Sequence, residues 1–459
     1  MTMTTRTERD SMGEMLVPAD ALYGATTQRA VENFPVSGRA LPRPFLRALG
    51  LIKGAAAATN RELGTFSGEI ADAIEKAAGE VAAGDHDAHF PVDVFQTGSG
   101  TSTNMNANEV IANRACVILG QPIGSRETVH PNDHVNQGQS SNDVIPTALH
   151  ISCAEELHTR LLPALRHLEV ALQDKTKQFD GIVKIGRTHL QDATPVRLGQ
   201  VFGGYQAQVQ NSIGRLEAAQ PRLLELALGG TAVGTGINCP PGFAQKTIAR
   251  IAEATGLPFV EAPNHFEAQA SRDAVVELSG AVRTVAVSLT RIANDLRMLG
   301  SGPRCGIGEI KLPVTQPGSS IMPGKVNPVI CESVLQVCMR VLGHDAAIVA
   351  GGTSGLFELN VAIPMMAEAM LDSLHLLANV STIFVDKCID GIEADEPRIA
   401  ALIEQSLMLC TALAPVIGYD TAAALAKRAY AEGKTVREVA DEMGIQNLDE
   451  ILDLRGMTD

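Results

Sequence analysis

The residues best equipped for chemistry lie in four polar segments, and the richest is PGSSIMPGKVNPVICE, 317–332. Gly318, Pro323 and Gly324 shape a turn there that presents two adjacent hydroxyls, Ser319 and Ser320, while Lys325 adds a point charge and Asn327 amide donors. Asn327-Pro328 predicts a helix N-cap followed by Pro at the first helical position. The free N–H groups of a helix beginning there would favour a carboxylate. Thr101, Ser140, Ser141, Asn142 and Thr188 are uncharged donors in the Gly- or Asn-rich stretches 96–109, 130–147 and 186–195. Such groups bind a small dicarboxylate without the cost of burying many charges. His189 follows Thr188, and a carboxylate partner would tune it as a general acid or base, although the residue pattern does not name that partner.

Two other chemistries fail on spacing. GGTAVGTG (229–236) lacks a following Lys and a preceding strand, and in PGSSIMPGKV Val326 stands where a phosphate loop needs Ser or Thr. The metal reading rests on His86/His89 and His130/His134, and Pro131-Asn132 argues against a helical register for the second pair, so no metal is expected.

Helices must position these segments. From Asp273 to Leu299 apolar residues recur at three- and four-residue steps (Val275, Leu278, Val282, Val285, Leu289, Ile292, Leu296, Leu299), a seam on a helix about 37 Å long. Stripes at Leu161, Leu165, Leu168 and Leu172, at Val334, Val337 and Val341, and at Met366, Met370, Leu374, Leu377 and Phe384 offer partners of similar length. Strand alternation is scarce, so the expectation is an all-α bundle of long helices. The polar segments are expected as the loops between them. Domain boundaries are placed near 138 and 393, giving 1–137, 138–393 and a small C-terminal unit, 394–459.

Composition narrows the partners. The chain has 459 residues, 45% of them hydrophobic, and a net charge of −15 from 37 Lys+Arg and 52 Asp+Glu. That charge tells against nucleic acid and anionic lipid. The N-terminal MTMTTRTERDSMGEM lacks a signal peptide's apolar core, and no uncharged apolar run of about 20 residues exists to span a membrane. Eight scattered Cys without a CxxC fit a reduced, cytoplasmic protein.

GSSIMPGKVNP (318–328) resembles the signature GSSxMPxKxN of the fumarase/aspartase superfamily. GTSTNMNANE (100–109), HPND followed by QSSND (130–143) and GRTHLQDATP (186–195) resemble further blocks of its class II fumarases, in order. The resemblance implies an all-α, three-domain homotetramer whose active sites are shared between subunits. It also implies reversible hydration of fumarate to L-malate without a cofactor. Residue by residue, Ser319 matches the serine that takes the carbon-bound proton. His189 matches the group that activates water, and Glu332 its carboxylate partner. Ser320, Lys325 and Asn327 match ligands of the substrate carboxylates, and Thr188 a further ligand. Ser99, Gly100 and Thr101, with Ser140, Ser141 and Asn142, match the remaining substrate contacts. His130, Pro131, Asn132 and Asp133 resemble a second, non-catalytic carboxylate site, although His134 replaces the family's usual Asp. The alternative on this scaffold is aspartate ammonia-lyase; Gly324 and FELN (357–360) resemble fumarases instead.

Overall fold

The computed structural model describes residues 4–459. Helices dominate, and the strands form five two-stranded sheets. The apolar seam becomes the helix Asp273–Leu299. Each seam residue from Val275 to Leu296 is at most 1% exposed, as the period of 3.5 requires of a stripe facing the core. The stripes of Leu162–Gln178 and Ile363–Phe384 are buried in the same way. In Val329–Gly352 the buried set is Cys331, Val334, Leu335, Cys338, Val341 and Ile348, with Val337 half-buried beside it.

Contacts divide the chain into two compact units. The first comprises Met1–Pro163, Gly214–Thr284 and Met339–Ala378; the second comprises Ala164–Ile213, Val285–Cys338 and Asn379–Asp459. The boundaries fall inside long helices, so Leu198–Leu223, Asp273–Leu299 and Val329–Gly352 each contribute to both.

In the first unit, Arg43–Glu62, Gly68–Ala83, Thr101–Ile118 and Ser141–Glu156 pack around Phe45, Leu49, Ile52, Ile74 and Ile111. The 96–109 stretch departs from the loop expected of it. Its Thr101–Glu109 half is helical, and Asn104, Asn106, Asn108 and Glu109 are buried there. Their polarity reflects internal hydrogen bonding, not solvent. The Glu109 carboxylate accepts from the Gly24, Thr26 and Thr27 N–H groups and the Thr27 hydroxyl, tying the preceding chain to this helix.

In the second unit, Val183–Thr188 and Gln191–Arg197 form an antiparallel hairpin in which Thr188 pairs with Gln191. Beneath it the buried Glu309 carboxylate lies 3.1 Å from Lys184 Nζ and 2.9 Å from the Arg187 guanidinium. Burial pulls the Lys184 ammonium below its usual pKa, and Glu309 pulls it back up. Phe179, Phe202 and Tyr205 stack edge to face at centroid distances of 5.3 and 5.6 Å. Near the chain end, Ile403, Leu409, Leu413, Leu425, Ala429 and Val439 form a separate apolar cluster.

Val329–Gly352 is apolar and long enough to cross a membrane, as is the bent pair Glu396–Glu404 and Leu407–Ile417 taken as one. The buried faces just described, with Glu332, Arg340 and Asp345 on the first helix, mark it as a core helix.

Candidate active site

In the first unit the loop 96–100 leads into the helix Thr101–Ile118. Gln96 Oε1 accepts from the Thr103 N–H and hydroxyl, and Ser99 Oγ lies 3.0 Å from Thr101 Oγ1. Gly98 sits where no side chain fits, because a Cβ there would come 1.8 Å from the Val361 carbonyl oxygen. Gly98 O in turn accepts from Ile363 N at 3.0 Å, so the chain that follows the Gly355–Asn360 hairpin braces this loop. Gly100 turns the chain at φ +75, a left-handed conformation that suits glycine.

Ser140 caps Ser141–Glu156 through a reciprocal box: Asn142 N donates to Ser140 Oγ (3.2 Å), and Ser140 N donates to Asp143 Oδ1 (2.9 Å). Asp143 is fully buried, and its Oδ2 accepts from Gly229 N (3.1 Å) and Thr231 N (2.8 Å), which anchors the glycine-rich 229–236 loop. Burial pushes the Asp143 carboxyl upward, against the N–H donors that pull it down. Asn142 Nδ2 reaches the Ala232 carbonyl of that loop at 2.8 Å. Between them lies a polar cavity of about 420 Å³ lined by Asn136, Gln139, Ser140, Ser141, Thr231, Asn238 and neighbours. Ser141 and Asn142 thus stand in the first helical turn instead of a loop, where the N-terminal dipole favours an anion.

Residue reading missed the wall behind this cavity. Asn104 Nδ2 donates to Ser141 Oγ (3.0 Å) and to Asn136 Oδ1 (3.2 Å); Asn108 and Lys53 donate to the same Asn136 oxygen. The run NMNAN carried the available signal, since three amides at two-residue steps serve poorly on an exposed helix.

Pro131–Val135 forms a single wide turn capped by His130, where proline had argued against one; Pro131 is tolerated because it stands at the first position of the turn. His130 Nδ1 accepts from the Asn132 and Asp133 N–H groups, and His134 Nδ1 accepts from His130 N. These ring nitrogens serve as local caps. Burial pulls the His134 imidazole below its usual pKa.

In the second unit, the 317–328 segment closes on itself. Gly318 N donates to Lys325 O (2.8 Å), and Asn327 Nδ2 donates to Gly318 O (2.7 Å). The helix starts at Val329, and Pro328 O accepts its first bond, from Glu332 N. Asn327 is therefore not the cap; its amide clasps the loop instead. Ser319 Oγ accepts from Ile321 N (3.2 Å) and Met322 N (2.9 Å), so its oxygen sits where developing negative charge is stabilised. Ser320, Lys325 and Met322 are exposed beside it, and residues 314–326 enclose about 480 Å³.

Thr188 and His189 lie at the exposed tip of the hairpin. His189 (φ 55) and Leu190 (φ 61) form its two-residue turn with both centres left-handed, a geometry normally filled by Asn or Gly. His189 also borders a cavity of about 540 Å³ with Arg187, Tyr205 and Asp295. Glu332, in the first turn of Val329–Gly352, makes no side-chain hydrogen bond or ion pair among the described residues, and the expected His189–Glu332 pair does not form within this chain.

Hydroxyls, amides and one lysine thus recur in the polar segments of both units, on a mainly helical scaffold, and the comparisons say which class of protein carries such segments. Residues 13–343 match the family described as Lyase, and residues 409–459 match that described as Fumarase C C-terminus. Fumarate hydratase class II of Halobacterium salinarum is 59% identical over 99% of this chain and 97% of its own. That of Rhizobium meliloti is 55% identical over 95% and 94%. The crystal structure of class II fumarase from Schistosoma mansoni superposes with a TM-score of 0.95 at 42% identity, covering 99% of both chains. The chain belongs to the class II fumarate hydratases of the fumarase/aspartase superfamily.

Proposed function

We propose that this chain interconverts fumarate and L-malate as a carbon–oxygen lyase, with Ser319 as the base. The observation that carries the assignment is the Ser319 oxygen held as acceptor by two backbone N–H groups, beside Lys325 on one turn. Those donors lower the cost of an alkoxide, which a lone serine could not form. In the dehydration of malate the alkoxide takes a proton from the carbon next to one carboxylate, and the electron pair spreads onto that carboxylate. Lys325, Asn327 and Asn142 stabilise the doubled charge more than they stabilise bound malate. Hydroxide then leaves the neighbouring carbon, taking a proton from the His189–Glu332 side. Ser99, Gly100, Thr101, Ser140, Ser141, Thr188 and Ser320 complete the carboxylate contacts.

A homotetramer supplies what one chain leaves apart, including the His189–Glu332 pair. Apolar side chains left exposed on the long helices support this: Val287 and Met298, Met339, Leu342 and Val349, and Ile383. A three-part organisation (1–137, 138–393, 394–459), action without a cofactor, a non-catalytic anion site at 130–133 and a cytoplasmic setting belong to the same reading. None of the eight Cys is bridged, and five are buried, which supports the last. The test is ultraviolet absorbance of the conjugated double bond, with L-malate and L-aspartate run in parallel in chelator. A rise with malate alone is expected; a rise with aspartate alone would replace this reading with an ammonia-lyase.

A further inference from the structure

We propose that Lys53 is a positioning residue of the dicarboxylate site, fixing the Asn136–Gln139 segment and supplying positive charge behind the N-terminus of Ser141–Glu156. This role rests on the fumarase reading above. Lys53 lies in Arg43–Glu62 and has no exposed surface. Its Nζ donates to Asn136 Oδ1 and to Gln139 Oε1, each at 2.9 Å. Both acceptors belong to the segment that runs directly into Ser140, and both line the polar cavity. Asn136 Oδ1 also takes Asn104 Nδ2 and Asn108 Nδ2, each at 3.2 Å, and Asn104 Nδ2 continues to Ser141 Oγ at 3.0 Å. An unbroken chain of hydrogen bonds therefore joins the ammonium to a substrate-facing hydroxyl.

The placement makes little sense as a stabilising device. A buried ammonium facing neutral amides loses its hydration without an ion pair in return. The flanking Ala56, Ala57 and Ala58 are buried apolar residues, so a hydrophobic side chain would suit this helix face. What the charge gives instead is a positive field, offset in part by the buried Asp143, under a helix N-terminus where a carboxylate would dock. Burial brings the Lys53 pKa down to about 7, and Asp143 on Ser141–Glu156 is the charged group that pulls it back up. The amides facing it from Thr101–Ile118 and from 136–139 are neutral, and Gly68–Ala83 and Phe243–Thr255, which also pack on its helix, contribute no charge there. Neutral lysine still donates two hydrogen bonds, so rising pH removes the field and leaves the geometry.

The experiment measures kcat and KM for L-malate from pH 6 to 9 in the wild-type enzyme, Lys53→Met, Lys53→Arg and Gln139→Met, with a melting curve for each. In the wild type KM rises roughly tenfold across neutrality while kcat changes little. Lys53→Met has the raised KM at every pH; Lys53→Arg, where it folds, keeps KM low and flat. Gln139→Met removes an acceptor that favours the charged amine and moves the rise to lower pH, which keeps the role testable if Lys53 variants fail to fold. A Lys53→Met enzyme with the wild-type KM profile overturns the role alone, as does a wild-type KM independent of pH with an unshifted Gln139→Met. No turnover of malate by the wild type overturns the fumarase reading and this role with it.

Discussion

The two polar regions that carry the proposed chemistry are built on opposite principles. Around the cavity at 136–141, side chains hold one another: Asp143 clasps a distant glycine loop, and Asn136 gathers three donors. The 317–328 turn closes on itself, through the Gly318–Lys325 backbone bond and the Asn327 amide, and leaves the Ser320 and Lys325 side chains exposed. A buried network is preorganised and fails as a unit; a self-closed turn can lose a side chain without the fold noticing. On the proposed reading, binding is tied to stability in the first region, and chemistry is uncoupled from it in the second.

That contrast can be broken in order of effect. Ser319→Ala should lower kcat by about a thousandfold or more while leaving the melting temperature within about a degree, because only two exposed-loop hydrogen bonds go. A melting shift of many degrees would show that the turn is structural. Gly98→Ala forces a methyl onto the Val361 carbonyl, and denaturant unfolding should show a loss of about 3 kcal/mol or more, with activity falling in step. Asp143→Asn replaces an acceptor of three N–H groups with one that accepts through a single oxygen. About 2 kcal/mol of stability should go, together with a raised KM, which is the coupling expected of the buried region.

The smallest effect sharpens the comparison away from either region. Glu80 sits 2.9 Å from the Arg114 guanidinium and 2.8 Å from His86 Nε2, and the Arg114 hydrogen bonds hold its carboxyl down at about 2, from an ordinary 4.5. A carboxyl depressed on folding stabilises above its unfolded pKa and loses that contribution as pH falls toward the folded one. Glu80→Gln should therefore cost about 1–2 kcal/mol at neutral pH, a gap that closes between about pH 5 and 2. A gap unchanged at pH 2 would show that packing, not charge, is at stake.

How much was legible follows from what each signal measures. The seam from Val275 to Leu296 was readable residue by residue, because burial imposes a period on the sequence. The polar turn at 317–328 was readable because Ser, Lys and Asn sat together, and the family resemblance supplied the roles proposed for them. Asn104, Asn106 and Asn108 were misread as loop because polarity stands for exposure only when no internal partner exists. Lys53 left no trace, since a single lysine among alanines looks like a solvated one. Asn327 looked like a cap, yet its amide bonds Gly318, nine residues back, a pairing set by the turn's closure. His189 and Glu332 signalled separately, and one chain does not bring them together.

The left-handed pair His189 and Leu190 has a further consequence. A glycine at either position would relax the torsions by about 1 kcal/mol, and a search for stability alone would find it. It would also widen the arc through which the imidazole swings. On the proposed reading, the stiffness of this left-handed turn limits where the ring can point. A better-melting variant with glycine at 190 should therefore be a worse marksman.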